Sequence, residues 1–208
     1  EKLASYIRMY ENSEEKWMPT FPCVFGDAHC MNGNHAAVMF ADALSKGIQF
    51  DVEKAFEGMK NTVLNETMIP WRRAPKTELD DFYHEHGWFP GLHPGEKEPV
   101  AIVSDFEQRN SVAVTQAASY DDWSIAQLAK SLGKEDDYTF FLNRAYNYRN
   151  LFNKETGFFH PKDKNGAFIE PFDYIFSGGI GARAYYDENN AWTYIWDVRH
   201  NISDLINL

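Results

Sequence analysis

Positive charge is scarce in this chain. Twenty Lys and Arg face 31 Asp and Glu, a formal net charge of −11. Binding to a nucleic-acid backbone needs clustered cations, and the most basic spot, Trp71-Arg72-Arg73, is too small to supply them. No nucleic-acid partner is expected. Long apolar runs are also missing and no signal peptide is visible, so no membrane partner is expected. Cysteine is limited to Cys23 and Cys30, which form either one disulfide in an oxidising compartment or two buried thiols. The chain contains no G-x-S-x-G, no phosphate-binding glycine loop and no dinucleotide fingerprint. Strand signals are weak, and there is no sequence repeat.

What is present is a globular composition: 208 residues, 44% hydrophobic and 25% charged, enough for one domain with a sizeable core. Aromatics make up 16%, with six Trp. In an acidic domain that surplus suits carbohydrate, whose C–H faces stack on indole rings. Helical periodicity dominates. Leu3, Tyr6 and Ile7 mark a helix over 2–11, followed by a Pro-interrupted loop through Cys23. Ala37, Phe40, Ala41, Leu44 and Ile48 mark a second helix, and Val52, Ala55, Phe56, Met59 and Val63 a third with Asp51 as N-cap. Residues 67–77 read as irregular and 78–86 as a short helix. The spacing predicts helices over 110–132, stopped by Gly133, over 135–152, and from 188 to the last residue. The expected fold class is all-α, built of paired helical hairpins. Ile202, Leu205 and Ile206 are still periodic at the end, and the first residue is Glu1, so the natural polypeptide is expected to continue.

The stretch Asp187-Glu188-Asn189-Asn190-Ala191-Trp192-Thr193-Tyr194-Ile195-Trp196 follows a glycine-rich loop, Ser177-Gly178-Gly179-Ile180-Gly181. Four- and seven-residue spacing puts Glu188, Trp192 and Ile195 on one helix face. Glu188 is then either a carboxyl heading an apolar, Trp-rich stripe or a first-turn residue favouring the helix dipole, with Asp187 as N-cap. Asp121 and Asp122 fall inside a helix pattern, where a buried charge needs a partner. A structural ion pair and a substrate contact both satisfy that need. Trp71-Arg72 reads as a sugar-stacking pair or as a surface ion pair with Asp80-Asp81. His200 reads first as a structural histidine. Asp27, His29, His35, Cys23 and Cys30 invite a metallohydrolase reading, but their spacing matches no closed zinc site.

Several stretches together resemble one family. They are Trp17-Met18-Pro19, Gly33-Asn34-His35-Ala36-Ala37-Val38, Ala41-Asp42-Ala43, Lys46-Gly47-Ile48, Ser119-Tyr120-Asp121-Asp122-Trp123, Thr156-Gly157-Phe158, and the Glu188–Trp196 stretch with Val198 and His200. The family is the glycoside hydrolase family 92 α-mannosidases. The resemblance implies that the chain is one segment of an (α/α)6 toroid, truncated at both ends. It implies calcium-dependent, inverting, exo-acting removal of terminal α-linked mannose, such as α-1,2-mannoside, from glycans. Glu188 matches the general acid. Asp27, Arg72, Asp122 and Trp192 are the expected substrate-binding residues. The family's paired general-base aspartates, its Asn-Glu-Pro motif near calcium and its N-terminal β-sandwich have no counterpart in this sequence. Base and calcium ligands are therefore expected outside it, in the remainder of the catalytic domain, and the segment alone is expected to be inactive. A periplasmic or secreted location is expected. The sequence departs from the family pattern at Thr193, where Gln is common, at Arg199, where Pro is common, and at Ala117, where Glu is frequent. The alternative reading is a non-catalytic helical carbohydrate-binding module. One tension remains. A helix dipole favours an ionised carboxyl at its N-terminus, whereas an acid role needs a protonated one, which burial favours.

Overall fold

The computed structural model describes residues 1–24, 26, 27, 29, 31–176 and 183–208. The fold is mainly helical: α1 (Lys2–Asn12), α2 (Ala36–Ser45), α3 (Val52–Asn65), α4 (Glu78–His86), α5 (Ser111–Ser131), α6 (Glu135–Arg144), a 3-10 turn (Asn147–Leu151), α7 (Ala191–Tyr194) and α8 (Ile202–Asn207). Two tiny antiparallel hairpins that periodicity does not reveal complete the described residues. One pairs β1 (Pro22–Cys23) with β2 (Gly26–Asp27); the other pairs β3 (Phe152–Asn153) with β4 (Phe158–Phe159).

α5 is the axis. Helices α2, α3 and α6 pack around it, and its sequence explains why it can be buried on almost every side. Small Ala and Ser residues let neighbours approach, and its buried hydroxyls bond within the helix. Thr115 Oγ1 donates to the Ser111 carbonyl at 2.8 Å, and Ser119 Oγ to the Thr115 carbonyl at 2.8 Å, so these two hydroxyls need no water. The first core gathers Ile7, Phe40, Phe56, Met59, Ile125, Leu128 and Phe141 from α1, α2, α3, α5 and α6, with Met18 from the loop after α1. A second core lies under α4 and the 88–103 loop, around Ile69, Leu79, Tyr83, Phe89 and Val114. A third joins the C-terminal part through Val112, Tyr148, Phe159, Tyr186 and Val198.

Helix ends follow local chemistry. Asp51 Oδ1 accepts from the Lys54 N–H at 3.0 Å, the expected N-cap. Thr77 and Asp80 form a capping box on α4, and Asp80, fully buried, also accepts from Thr67 Oγ1 and the Met68 N–H, both at 2.7 Å. Gly133, at φ +68°, takes the left-handed turn that ends α5.

Two expected helices are shorter in the structure. The pattern over 135–152 breaks at Arg144 because the Tyr148 N–H goes to Ser119 Oγ at 3.1 Å instead of a carbonyl one turn back. The side chains of Asn147 and Asn150 are held by Tyr83 and Gly87 at the end of α4. The helix expected from 188 to 208 is two short ones. Asn190 Oδ1 accepts from the N–H groups of Trp192 (3.1 Å) and Thr193 (3.4 Å) and so starts α7 three residues after Glu188. Burial of Val198 and the bond from His200 Nε2 to the Ala145 carbonyl (2.9 Å) then bend the chain before α8.

Candidate functional site

The 187–200 segment carries Glu188, and its setting corrects the helix-face expectation. Glu188 has φ 54° and is exposed, in a turn ahead of α7. It therefore shares no helix face with Trp192 and Ile195, and the first-turn dipole does not act on it. Arg183, itself buried, gathers the carboxylates here. It pairs closely with Glu107 and lies 3.4 Å from both Asp187 and Glu188. Asp187 is buried, and burial raises its pKa against the pull of Arg183. Its backbone N–H donates to the Tyr194 hydroxyl at 3.1 Å. Asp187, Asn189, Thr193, Tyr194, Trp196, Asp197 and Arg199 line an open cleft of about 340 Å³. Trp192 and Trp196 are both largely exposed, and Trp192 meets Phe158 edge to face with ring centroids 4.9 Å apart. The glycine-rich loop 177–181 lies outside the described residues.

The Asn32 side chain reaches the Tyr194 hydroxyl and so ties the 32–35 turn to this cleft. Gly33, at φ +77°, makes that turn possible. A Cβ there would come within 2.9 Å of Ala117 Cβ, so the backbone lies directly on α5. Asp121 then holds the turn from α5: its carboxylate accepts from the Asn34 N–H at 2.6 Å and meets His35 Nδ1 at 2.8 Å. The Asp121 charge raises the pKa of His35. In a titration followed through ¹³C-labelled histidine, His35 is expected to change charge above the ordinary imidazole value of about 6.5. Asp121→Asn is expected to bring the midpoint down; a midpoint that stays put would disprove the pairing.

Asp122, one residue on, is fully buried and pairs with Arg144 Nε at 3.0 Å. Burial moves its pKa up to about 6 while Arg144 pulls it down. Arg144 also donates to His84 Nδ1 at 2.8 Å. Burial and the guanidinium lower His84 to about 4, so the imidazole is neutral and accepts. Of the two partners considered for Asp122, the ion pair is present.

Asp27 is saturated. Its carboxylate accepts from Thr20, from the Phe21 N–H at 2.7 Å and from Arg73. Arg72, by contrast, spends its guanidinium on the backbone, donating to the carbonyls of Ile102 (2.5 Å) and Trp71 (3.0 Å). Of the two readings of Trp71-Arg72, the surface ion pair with Asp80-Asp81 is not formed, because Asp80 is buried in the α4 cap and Asp81 pairs with Lys76. His29 Nδ1 bonds the Arg72 carbonyl at 2.7 Å, and burial lowers its pKa. His29 and His35 thus have separate structural partners, and among the described residues no three His, Cys, Asp or Glu side chains gather to hold a metal ion. Cys23 is exposed, which corrects the buried-thiol reading for it, and its thiol donates to the Gly26 carbonyl at 3.1 Å; Cys30, on which the disulfide alternative depends, lies outside the described residues.

Residues 1–208 match the glycosyl hydrolase family 92 catalytic domain along their whole length. The chain belongs to glycosyl hydrolase family 92. It is similar to a family 92 α-mannosidase from Bacteroides thetaiotaomicron, with 32% identity and a TM-score of 0.77 over 99% of this chain and 24% of that one. The same enzyme in complex with mannoimidazole gives 31% and 0.78 over 99% and 25%. A family 92 inverting mannosidase from Bacteroides thetaiotaomicron VPI-5482 gives 30% and 0.78, also over 99% and 25%. An uncharacterized secreted glycosidase of Arthroderma benhamiae is 28% identical over 98% of this chain and 28% of its own length. The chain therefore spans about a quarter of the length of the relatives it matches. No helix among the described residues is long and apolar enough to cross a membrane.

Within this family 92 segment, the sequence signal missed Arg183, Arg144, Arg73, Asn34 and Glu66. Helix periodicity is blind to four of them, which lie at a helix terminus or in loops. Glu66 follows α3 directly, where no apolar pattern marks it, and is buried.

Proposed function

We propose that this segment belongs to an exo-acting, inverting α-mannosidase that removes terminal α-linked mannose, such as α-1,2-mannoside, from glycans. The observation that carries the reading is the likeness of 99% of the chain to enzymes described as α-mannosidases, one of them inverting. In this reading residues 1–208 are one segment of an (α/α)6 toroid, the enzyme is secreted or periplasmic, and the remainder of the catalytic domain is the segment's partner. Helical pairing about α5 supports the toroid reading, and the secreted glycosidase among the relatives supports the location.

Inversion needs one carboxyl to protonate the leaving oxygen and a second, across a water, on the other face of the sugar. Glu188 is the proposed acid: it stands exposed between Asp187 and Asn189, which line the cleft with the exposed Trp196, and lies 3.4 Å from Arg183. Trp192 is proposed to stack on sugar C–H faces. Asp27, Arg72 and Asp122 are proposed substrate-binding residues; in the structure Asp27 meets Arg73, Arg72 donates to the Ile102 carbonyl and Asp122 pairs with Arg144. The general base would come from the rest of the domain. Calcium's ligands are likewise proposed to lie in the rest of the domain, and no step is assigned to the ion. The test is hydrolysis of an aryl α-mannoside by the complete enzyme, read by ¹H NMR. Release of β-mannose as the first anomer is expected; an α-anomer, or no release at all, would refute the reading.

A further inference from the structure

Behind the 32–35 turn, between α3 and α5, lies a cavity of about 40 Å³ bordered by Asn34, Glu66, His29, Thr67, Asp122 and Arg144. It has room for a hydroxyl group or a water but not for a sugar ring. Glu66, Asn34 and Asp122 are 2%, 6% and 1% exposed. Among the described residues, five of their polar atoms have no hydrogen-bond partner: both Glu66 carboxyl oxygens, Asn34 Nδ2 and Oδ1, and Asp122 Oδ1. Buried polar atoms left unpaired are costly, and here several share one small space.

We propose that this cavity is a recognition site for a single sugar hydroxyl, with Glu66 and Asn34 as specificity-determining residues. The proposal rests on the glycosidase reading above. The charge pattern selects a neutral polar group. A cation is disfavoured by Arg144 at the wall and by Arg73, whose Nε lies 3.9 Å from Glu66. An anion is disfavoured by Asp121 and Asp122, which also line the space. A hydroxyl offers one donor and two lone pairs. Asp122 Oδ1 accepts, the Asn34 amide does both, and Glu66 does both because burial lifts its pKa to about 8 and keeps it protonated at neutral pH. The 32–35 turn links the two spaces along the chain: Gly33 and Asn34 line the cavity, and the preceding Asn32 bonds Tyr194, which lines the cleft. A water has the same chemistry, so the experiment must separate the two occupants.

The test compares aryl α-mannoside with its monodeoxy analogues as substrates of the complete enzyme. The wild type is expected to turn over one monodeoxy analogue roughly 10- to 100-fold less efficiently in kcat/KM than the parent. Glu66→Leu is expected to lower kcat/KM on the parent by a similar factor and to close the gap to that analogue. Glu66→Gln, which keeps a neutral donor and acceptor, is expected to preserve the gap. If Glu66→Leu does not fold, Asn34→Ala gives the same reading. A gap that survives Glu66→Leu or Asn34→Ala, or equal losses on every analogue, would mean a water-filled structural cavity and overturn the proposal. Failure of the wild type to hydrolyse the parent would instead refute the glycosidase reading, and the proposal with it.

Discussion

Glu188→Gln in the complete enzyme is expected to lower kcat by about 10²- to 10⁴-fold on a mannoside with a poor leaving group, the range that general-acid catalysis supplies. On an aryl mannoside whose leaving phenolate needs little protonation, the loss should be far smaller. That asymmetry is the diagnostic outcome. Glutamine keeps the size of the side chain and its contact with Arg183, which approaches Glu188 at 3.4 Å. A purely positional role would therefore show a small and uniform effect on both substrates. Equal turnover of the poor-leaving-group substrate by wild type and variant would remove Glu188 from the mechanism. The geometry leaves the role open: Glu188 lies outside any helix, at φ 54°, its side chain is exposed, and among the described residues its ion pair, with Arg183, is a long one at 3.4 Å.

That geometry was not legible in the sequence, and the reason is specific. Four- and seven-residue spacing placed Glu188 on a helix with Trp192 and Ile195. The Asn190 side chain captures the N–H groups of Trp192 and Thr193 and starts the helix later. A side-chain cap outcompeted the pattern, and the Asn189-Asn190 pair was the available clue. Elsewhere, periodicity and caps located α1 through α5 because a packed face, an Asp51 cap or a Gly133 stop agrees with the pattern in each. Asp122 was legible as a buried acid because it lies in line with Ala118 and Ile125. Its partner Arg144 was not, since it sits 22 residues away on another helix, and only tertiary packing brings the two together. The same holds for Arg73: its neighbour Arg72 was the residue singled out, yet Arg73 is the one that meets Asp27.

Arg144→Met is the stability experiment with the largest expected effect. The guanidinium serves Asp122 and His84 and lies over the Tyr83 ring, 5.4 Å from its centroid. Methionine fills much of its volume but leaves Asp122 buried without a counter-charge, a change that typically costs about 3–5 kcal/mol. For a unit of this size that corresponds to a fall in Tm of roughly 10 °C by calorimetry. The loss should depend on pH, with a sign fixed by Asp122. Its folded pKa, about 6, lies above its ordinary value of 3.8. The folded state therefore holds a proton that the unfolded state releases, and this contribution is full below pH 3.8 and lost as pH rises through 6. Without Arg144 the folded pKa climbs further, so the window widens upward. The deficit of Arg144→Met relative to wild type should be smallest near pH 4 and grow through neutrality. Adding Asp122→Asn removes the stranded charge, so the double variant should recover most of the neutral-pH loss, a clear departure from additivity. A deficit independent of pH, or a double variant no better than the single, would show that Arg144 acts through packing on Tyr83 and Phe140 and not through the buried carboxylate.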